Sequence, residues 1–183
     1  CSGEISDTVM FVEHPPTITL GARQSTNKLI VNKEELARLD IDVVEIRRGG
    51  GATAHNPGQL VFYPILNLHE LGLGISKYIR LLETIGIELL KQLGIQSTRR
   101  EGFPGVWISE KKIASIGVRV SKGVTYHGMA INIQNDLSIF DLIVPCGLDE
   151  VEMTSVLKET GKYNSMTEVK NNLRKLIIKH LKT

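Results

Sequence analysis

One of the two cysteines in this 183-residue chain, Cys146, stands between a proline and a glycine in "LIVPCGL", residues 142–148. A free thiol titrates at about 8.5, so a nucleophilic cysteine needs a nearby cation, a base or oriented backbone amides. Pro145 and Gly147 are turn formers that would present the sulfur, and amides at such a turn can supply part of an oxyanion hole once an acyl group is attached. A buried structural thiol is the competing reading. Lys112, His55 and His127 are the candidate neighbours. Lys112 precedes Ile113, Ala114 and Ile116, a setting in which an ammonium could sit beside a dry pocket. On spacing alone, however, Lys111 and Lys112 read as two solvated turn lysines. His127 and Gly128 fall inside an apolar strand pattern, where a glycine marks close approach of a ligand or another backbone; a hydrogen-bonded core histidine is the equal alternative.

The segment "RRGGGATAHNPGQ", residues 47–59, is the second chemical feature. Gly49, Gly50 and Gly51 remove every side chain where a bound molecule could approach the backbone, and Arg48 and His55 flank them with a cation and an imidazole. A binding loop is the better reading than a surface turn. The spacing matches neither the phosphate-binding P-loop nor the dinucleotide fingerprint. No Cys-x-x-Cys pair and no paired histidines are present, so no metal site is expected.

Strands and helices must position these groups. "TVMFVE" reads as a strand, Pro15 and Pro16 interrupt it, and "TITL" resumes it. Asn32 is placed to cap a short helix through Leu39, after which "IDVVEI" returns as a strand. The glycine segment reads as a loop, followed by the apolar run "LVFYPILNL". Ile75, Tyr78, Ile79, Leu82, Ile85, Leu89, Leu90 and Leu93 share one helical face, and Gly94 ends that helix. "GVWIS", "KIASIGVRV" and "VTYHGMAINI", separated by turn formers, read as consecutive antiparallel strands. Ser165 and Glu168 form a capping box ahead of a C-terminal helix whose lysines make a solvated face. Strands and helices mix without regular βαβ alternation. The expected fold class is therefore mixed α/β (α+β), a mixed or antiparallel sheet with packed helices, in a single domain over residues 1–183.

Composition excludes several function classes. The formal net charge is +2 with charges interspersed, too mild for a nucleic-acid partner. No apolar run approaches the roughly 18 residues of a membrane span, and no secretory signal is legible at the start. Two cysteines far apart do not build a disulfide framework, so a reduced compartment is expected. The sequence opens without an initiator methionine, which raises the expectation of a missing upstream segment.

Taken in order, "RGGGATAHNPGQLVFYPILNL", "KIASIGVRV", "HGMAIN" and "IVPCGL" resemble the octanoyl-carrier-protein:protein octanoyltransferases of lipoate biosynthesis. The likeness runs from "VEHPPTITLG" to about Met153. It implies the α/β fold of the lipoate and biotin ligase catalytic domains and an acyltransferase working through a thioester on Cys146, with Lys112 as its catalytic partner. It further implies that the loop Arg48, Gly49, Gly50, Gly51, Ala52, Thr53, Ala54 and His55 lines the acyl site, with Ser115, Ile116 and Gly117 on one strand and His127, Gly128, Met129 and Ala130 on another. The implied donor is octanoyl-acyl-carrier protein, with no cofactor and no ATP. The implied acceptors are lipoyl domains of 2-oxoacid dehydrogenases and the glycine-cleavage H protein. A cytoplasmic monomer is expected, organellar in a eukaryote, with neither membrane nor nucleic acid as partner. Basic residues near the pocket would speed encounter with an acidic carrier.

The family writes Tyr-His-Gly-Pro-Gly where this chain has Ala54, His55, Asn56, Pro57 and Gly58, which directs attention to loop shape and chain-length preference. Three other activities compete: an ATP-dependent lipoate ligase, whose glycine-rich loop is similar; an amidotransferase moving acyl groups between carrier proteins; and a non-catalytic acyl-carrier-binding module.

Overall fold

The computed structural model describes residues 6–144 and 151–181, and the segment Pro145–Cys146–Gly147, expected from the sequence to present the thiol, lies outside them. Among the described residues the strands form a five-stranded sheet, a three-stranded sheet and a two-stranded ribbon. In chain order the strands are β1 (Thr8–Val12), β2 (Thr17–Leu20), β3 (Lys28–Leu29), β4 (Asp42–Glu45), β5 (Thr53–His55), β6 (Gln59–Ile65), β7 (Gly105–Ile108), β8 (Lys111–Ser121), β9 (Val124–Asn132) and β10 (Ile143–Val144). The helices are α1 (Lys33–Arg38), α2 (Ile75–Gln92), α3 (Val156–Thr160) and α4 (Met166–Leu181).

The large sheet runs β1-β6-β9-β8-β7 with antiparallel neighbours throughout. Its strands alternate, so one face is apolar and the other is left for a different layer. Leu60 and Phe62 of β6, Met129 and Ile131 of β9 and Val106 of β7 pack against α2 and α4 in the main core. On α2 the inward stripe is Tyr78, Leu82, Ile85, Leu89 and Leu90, as the helical spacing requires. Ile75 departs from that expectation: it is 52% exposed, because the first residue of α2 extends past the cover. Ile95 and Gly94 donate back to Leu90 and Lys91, satisfying the last carbonyls of the helix. Asn32 caps α1 by accepting from the Glu35 amide, and Ser165 accepts from the Glu168 amide at the start of α4.

The small sheet, β4-β2-β5, lies across the other face of the large one, with β4 parallel and β5 antiparallel to β2. Its far side carries a second core in which Ile18, Leu20, Ala52 and Ala54 meet Leu36, Phe140 and Met153. β5 falls in the segment expected to be a loop. Its three residues are strand because they pair with β2, which tertiary context rather than local propensity decides. Among the described residues no helix is long and apolar enough to cross a membrane.

Substituting Leu82→Ala in the main core should lower unfolding free energy by about 2–5 kcal/mol. Ile75→Ala, formally on the same helical stripe, should change it by less than about 0.5 kcal/mol. Paired denaturant titrations check both values.

Candidate active site

Where the two sheets face each other they enclose a cavity of about 440 Å³, lined by both. The large sheet contributes Val61, Tyr63, Ser115, Gly117, Gly128 and Ala130, and the small sheet contributes Thr17, Thr19, Thr53 and His55. Registers align these residues. Val61 pairs with Ala130, Ala130 with Ser115, and Ser115 with Gly105, giving one row straight across four strands. Gly117 pairs with Gly128 in the next row.

Arg48 holds the glycine loop over this cavity. Its side chain is buried, with Nη1 donating to the carbonyls of Gly49 (3.0 Å) and Gly51 (2.7 Å) and Nη2 to the Thr19 carbonyl and hydroxyl, each at 2.7 Å. Four charge-assisted bonds thus tie the loop to β2. Gly117 is required beneath it, since a Cβ there would lie 2.7 Å from Arg48 Cδ.

His55 is fixed in orientation and tautomer by a buried chain of amides. The Thr154 carbonyl can only accept, so Asn132 turns its Nδ2 towards it at 2.9 Å. Asn132 Oδ1 then accepts from Gln59 Nε2 at 2.9 Å, which leaves Gln59 Oε1 to accept from His55 Nδ1 at 2.8 Å. The imidazole proton is therefore on Nδ1, and Nε2 faces the Thr19 hydroxyl at 3.4 Å as an acceptor. Burial lowers the His55 pKa from 6.5 to about 4, against the raising effect of Gln59, so the ring is neutral at physiological pH.

Two further histidines line the same cavity. His14 shares a 2.7 Å hydrogen bond with the Tyr63 hydroxyl and stands 5.5 Å, centroid to centroid, from His55. His127 meets Tyr63 edge-on at 6.2 Å and holds a φ of +61°, rare for a residue with a side chain. Burial lowers the pKa of both, and Arg48 and Arg119 lower His127 further. Burial raises that of Tyr63. One wall of the cavity is thus a row of uncharged rings, suited to an aliphatic or weakly polar guest.

The structure gathers most of the sequence candidates here: Arg48, Gly49, Gly50, Thr53, His55, Ser115, Ile116, Gly117, His127, Gly128, Met129 and Ala130 all line the cavity. Gly51, Ala52 and Ala54 do not. Alternation in β5 sends Ala52 and Ala54 into the second core, and Gly51 packs on Thr26. Ala54 and Asn56 are therefore not cavity walls; Asn56 is buried and donates to the Asp136 carbonyl.

Lys112 stands at the edge of the row rather than in the lining. It is only 3% exposed, which corrects the reading of a solvated turn lysine; Lys111 beside it is the exposed one, with 40% of its side chain accessible. A register shift between Val106 and Trp107 turns Lys112 across Trp107, with Nζ 5.2 Å from the ring centroid. Gly105 makes room for it: its φ is +142°, and a Cβ there would come within 2.7 Å of Lys112 Cε. The Lys112 backbone donates to the Glu152 carbonyl (2.9 Å) and accepts from the Thr154 amide (3.0 Å), joining β8 to the segment that follows Cys146 in sequence. Cys146 itself is outside the described residues.

His14, Thr19, Val61 and Tyr63 were not picked out as site residues by sequence. The alternation of β6 puts Val61 and Tyr63 on one face, but nothing local says that a second sheet covers that face.

The chain matches the lipoyl protein ligase A/B catalytic domain over residues 1–178. An octanoyltransferase from Syntrophobacter fumaroxidans is 46% identical over 169 residues, covering 92% of this chain and 74% of the relative. In structure, the bipartite lipoate protein ligase of Thermoplasma acidophilum, described with its E2 lipoyl domain, superposes with a TM-score of 0.77 at 20% identity, covering 98% of this chain and 72% of that one. The biotin protein ligase of Aquifex aeolicus, in complex with biotin and ATP, gives 0.59 at 22% identity, covering 91% and 70%. A cavity between two sheets, roofed by an arginine-pinned glycine loop, thus sits on the fold of the lipoate and biotin ligases. The chain belongs to the lipoyl protein ligase A/B catalytic-domain family, among its octanoyltransferases, and is an acyltransferase.

Because the folded state disfavours the His55 cation, the unfolded chain binds more protons between pH 6.5 and about 4, and stability rises with pH across that window. The penalty is absent above the window, grows as pH falls through it and is constant below. Thermal unfolding followed from pH 7 to 4 should show His55→Gln losing roughly 3 kcal/mol less than wild type. Equal losses would mean that the imidazole is charged in the fold.

Proposed function

We propose that this enzyme transfers an octanoyl group from acyl-carrier protein to a lysine of lipoyl domains through a thioester on Cys146, without ATP. The observation that carries this reading is the burial of Lys112 at the end of the cavity's first row, joined by main-chain hydrogen bonds to Glu152 and Thr154. A solvated lysine would need no glycine beneath it and no aromatic ring beside it. The mainly apolar lining with its neutral His55 ring supports an aliphatic acyl group as the guest, and the T. acidophilum ligase described with its E2 lipoyl domain supports lipoyl domains as acceptors.

In the first step the Cys146 thiolate attacks the thioester carbonyl of the donor. A new C–S bond forms, the old one breaks, and the carrier leaves as its thiol, taking its proton from the Lys112 ammonium, which is left as a neutral amine. In the second step the acceptor lysine amine attacks the Cys146 thioester, the C–N bond forms, and the sulfur leaves. Lys112 favours the thiolate as an ammonium in the first step and takes the proton of the attacking amine in the second. Both acyl bonds to sulfur are activated and the product is an amide, so no adenylate is needed. Octanoyl-acyl-carrier protein therefore serves as co-substrate and not as a resident cofactor. The glycine-cleavage H protein and 2-oxoacid dehydrogenase lipoyl domains are the proposed acceptors.

Mixing enzyme with octanoyl-acyl-carrier protein and no nucleotide should give an octanoyl adduct by intact mass on wild type and none on Cys146→Ser. Lys112→Met should slow adduct formation by about 100-fold or more, the usual worth of a positioned proton carrier. Transfer that survives Cys146→Ser and requires ATP with free octanoic acid would replace this reading with a ligase.

A further inference from the structure

The cavity adjoins a second space at its far side. Beyond Tyr63 and His127, which border both spaces, a groove of about 380 Å³ continues along the same face of the large sheet between Met10, Ile65, Arg119, Ser121 and Tyr126. The groove follows from the register. Successive residues on one face of a strand are about 6.7 Å apart, so Ser115, Gly117 and Arg119 of β8 mark off equal steps along the sheet. Ser115 pairs with Ala130, Gly117 with Gly128 and Arg119 with Tyr126. The small sheet covers the first two rows; the third lies in the groove, with Met10 and Tyr126 exposed.

Lys112 sits beside Gly105, at the edge of the first row. On the acyl-enzyme reading above, the thioester carbonyl lies at that end. An extended eight-carbon acyl chain spans seven C–C bonds of about 1.5 Å, roughly 9 Å in zigzag. Laid in the cavity from the first row, past the Arg48 stem that covers Gly117, it reaches the second row and ends before the third. Tyr63 and His127 stand at that point. Arg48 Cδ covers Gly117, so the chain passes beside the guanidinium stem, and the edge-on ring pair, which borders both the cavity and the groove, closes the far end of its path.

We infer that Tyr63, held through its hydroxyl by His14 and braced edge-on by His127, is the end stop that sets acyl length at about eight carbons, and that the groove behind it would take a longer chain if the stop were removed. This inference rests on the acyl-enzyme reading for the position of the carbonyl. His14 is a positioning residue here: its 2.7 Å bond keeps the Tyr63 ring across the passage rather than swung towards solvent. Tyr63 and His127 determine specificity and touch the guest only at its terminal carbons. The groove walls Met10, Ile65 and Tyr126 are apolar enough to receive methylenes.

The test compares adduct formation from octanoyl- and dodecanoyl-acyl-carrier protein, one donor at a time. Wild type should strongly favour octanoyl. Tyr63→Ala should raise the dodecanoyl-to-octanoyl rate ratio about tenfold or more, as four additional methylenes become buried. Adding Ile65→Trp, which fills the groove, should reverse that gain, while Ile65→Trp alone should leave the wild-type profile unchanged. An unchanged ratio in Tyr63→Ala overturns the end stop, and a raised ratio that Ile65→Trp fails to reverse overturns the groove as the route. If Tyr63→Ala does not fold, His127→Gly removes the bracing ring at a backbone position that glycine suits, and the same shift is required of it. Calorimetric binding of free octanoate and dodecanoate to the same variants needs no chemistry. A length shift in binding without any adduct on wild type would retain the end stop and reject the acyl-enzyme reading, and no length shift in either measurement rejects the end stop itself.

Discussion

The burial of one guanidinium between two sheets is the constraint on which the rest of the site depends. Arg48 reaches from the glycine loop to β2 and places its two Nη groups on main-chain carbonyls and the Thr19 hydroxyl. A buried cation is costly unless its donors are satisfied, so the loop must wrap around it in one way. That arrangement explains Gly117 beneath the side chain, the approach of the loop to β8, where the Gly49 amide donates to the Val118 carbonyl, and the Thr19 hydroxyl held 3.4 Å from His55 Nε2. The cavity is the space left when these contacts are all made.

The positive charge on Arg48 also shapes its surroundings. It lowers the pKa of His55 and His127, adding to the effect of burial. The result is a pocket whose imidazoles offer hydrogen-bond acceptors without adding charge. The amide chain from Thr154 through Asn132 and Gln59 makes this definite for His55, because each amide orientation is set by the one before it. The same Thr154 bonds to the Lys112 backbone, so the histidine wall and the lysine edge share a support.

Much of the fold was legible because its elements carry their own signals. The apolar stripe of α2, the caps at Asn32 and Ser165, and the three strand runs of the second half are local patterns that survive burial. β5 and the β3–β10 ribbon were not legible, since two- or three-residue strands exist only through their partners. For the site, the glycine loop and Gly128 stand out as breaks in the sequence pattern, whereas Gly117 enters only through the family resemblance and its pairing with Gly128 only through the register. Lys112 was readable on spacing only as a solvated residue; its burial depends on the register shift in β7 and on Gly105, neither of which has a sequence signature. His14 and Tyr63 become site residues only when the small sheet closes over β6.

The antiparallel pleat gives the cavity floor a graduation. Any extended guest lying along β8 and β9 meets a new row of side chains about every 6.7 Å, a step longer than four carbon–carbon bonds. Moving the boundary of such a site by a whole row is therefore a coarse adjustment, and the strands offer no half-step. Finer discrimination, one methylene at a time, has to come from side-chain volume within a row. A scaffold of this kind can be retuned in small increments at a single ring while the backbone, the lysine edge and the arginine-pinned loop stay as they are.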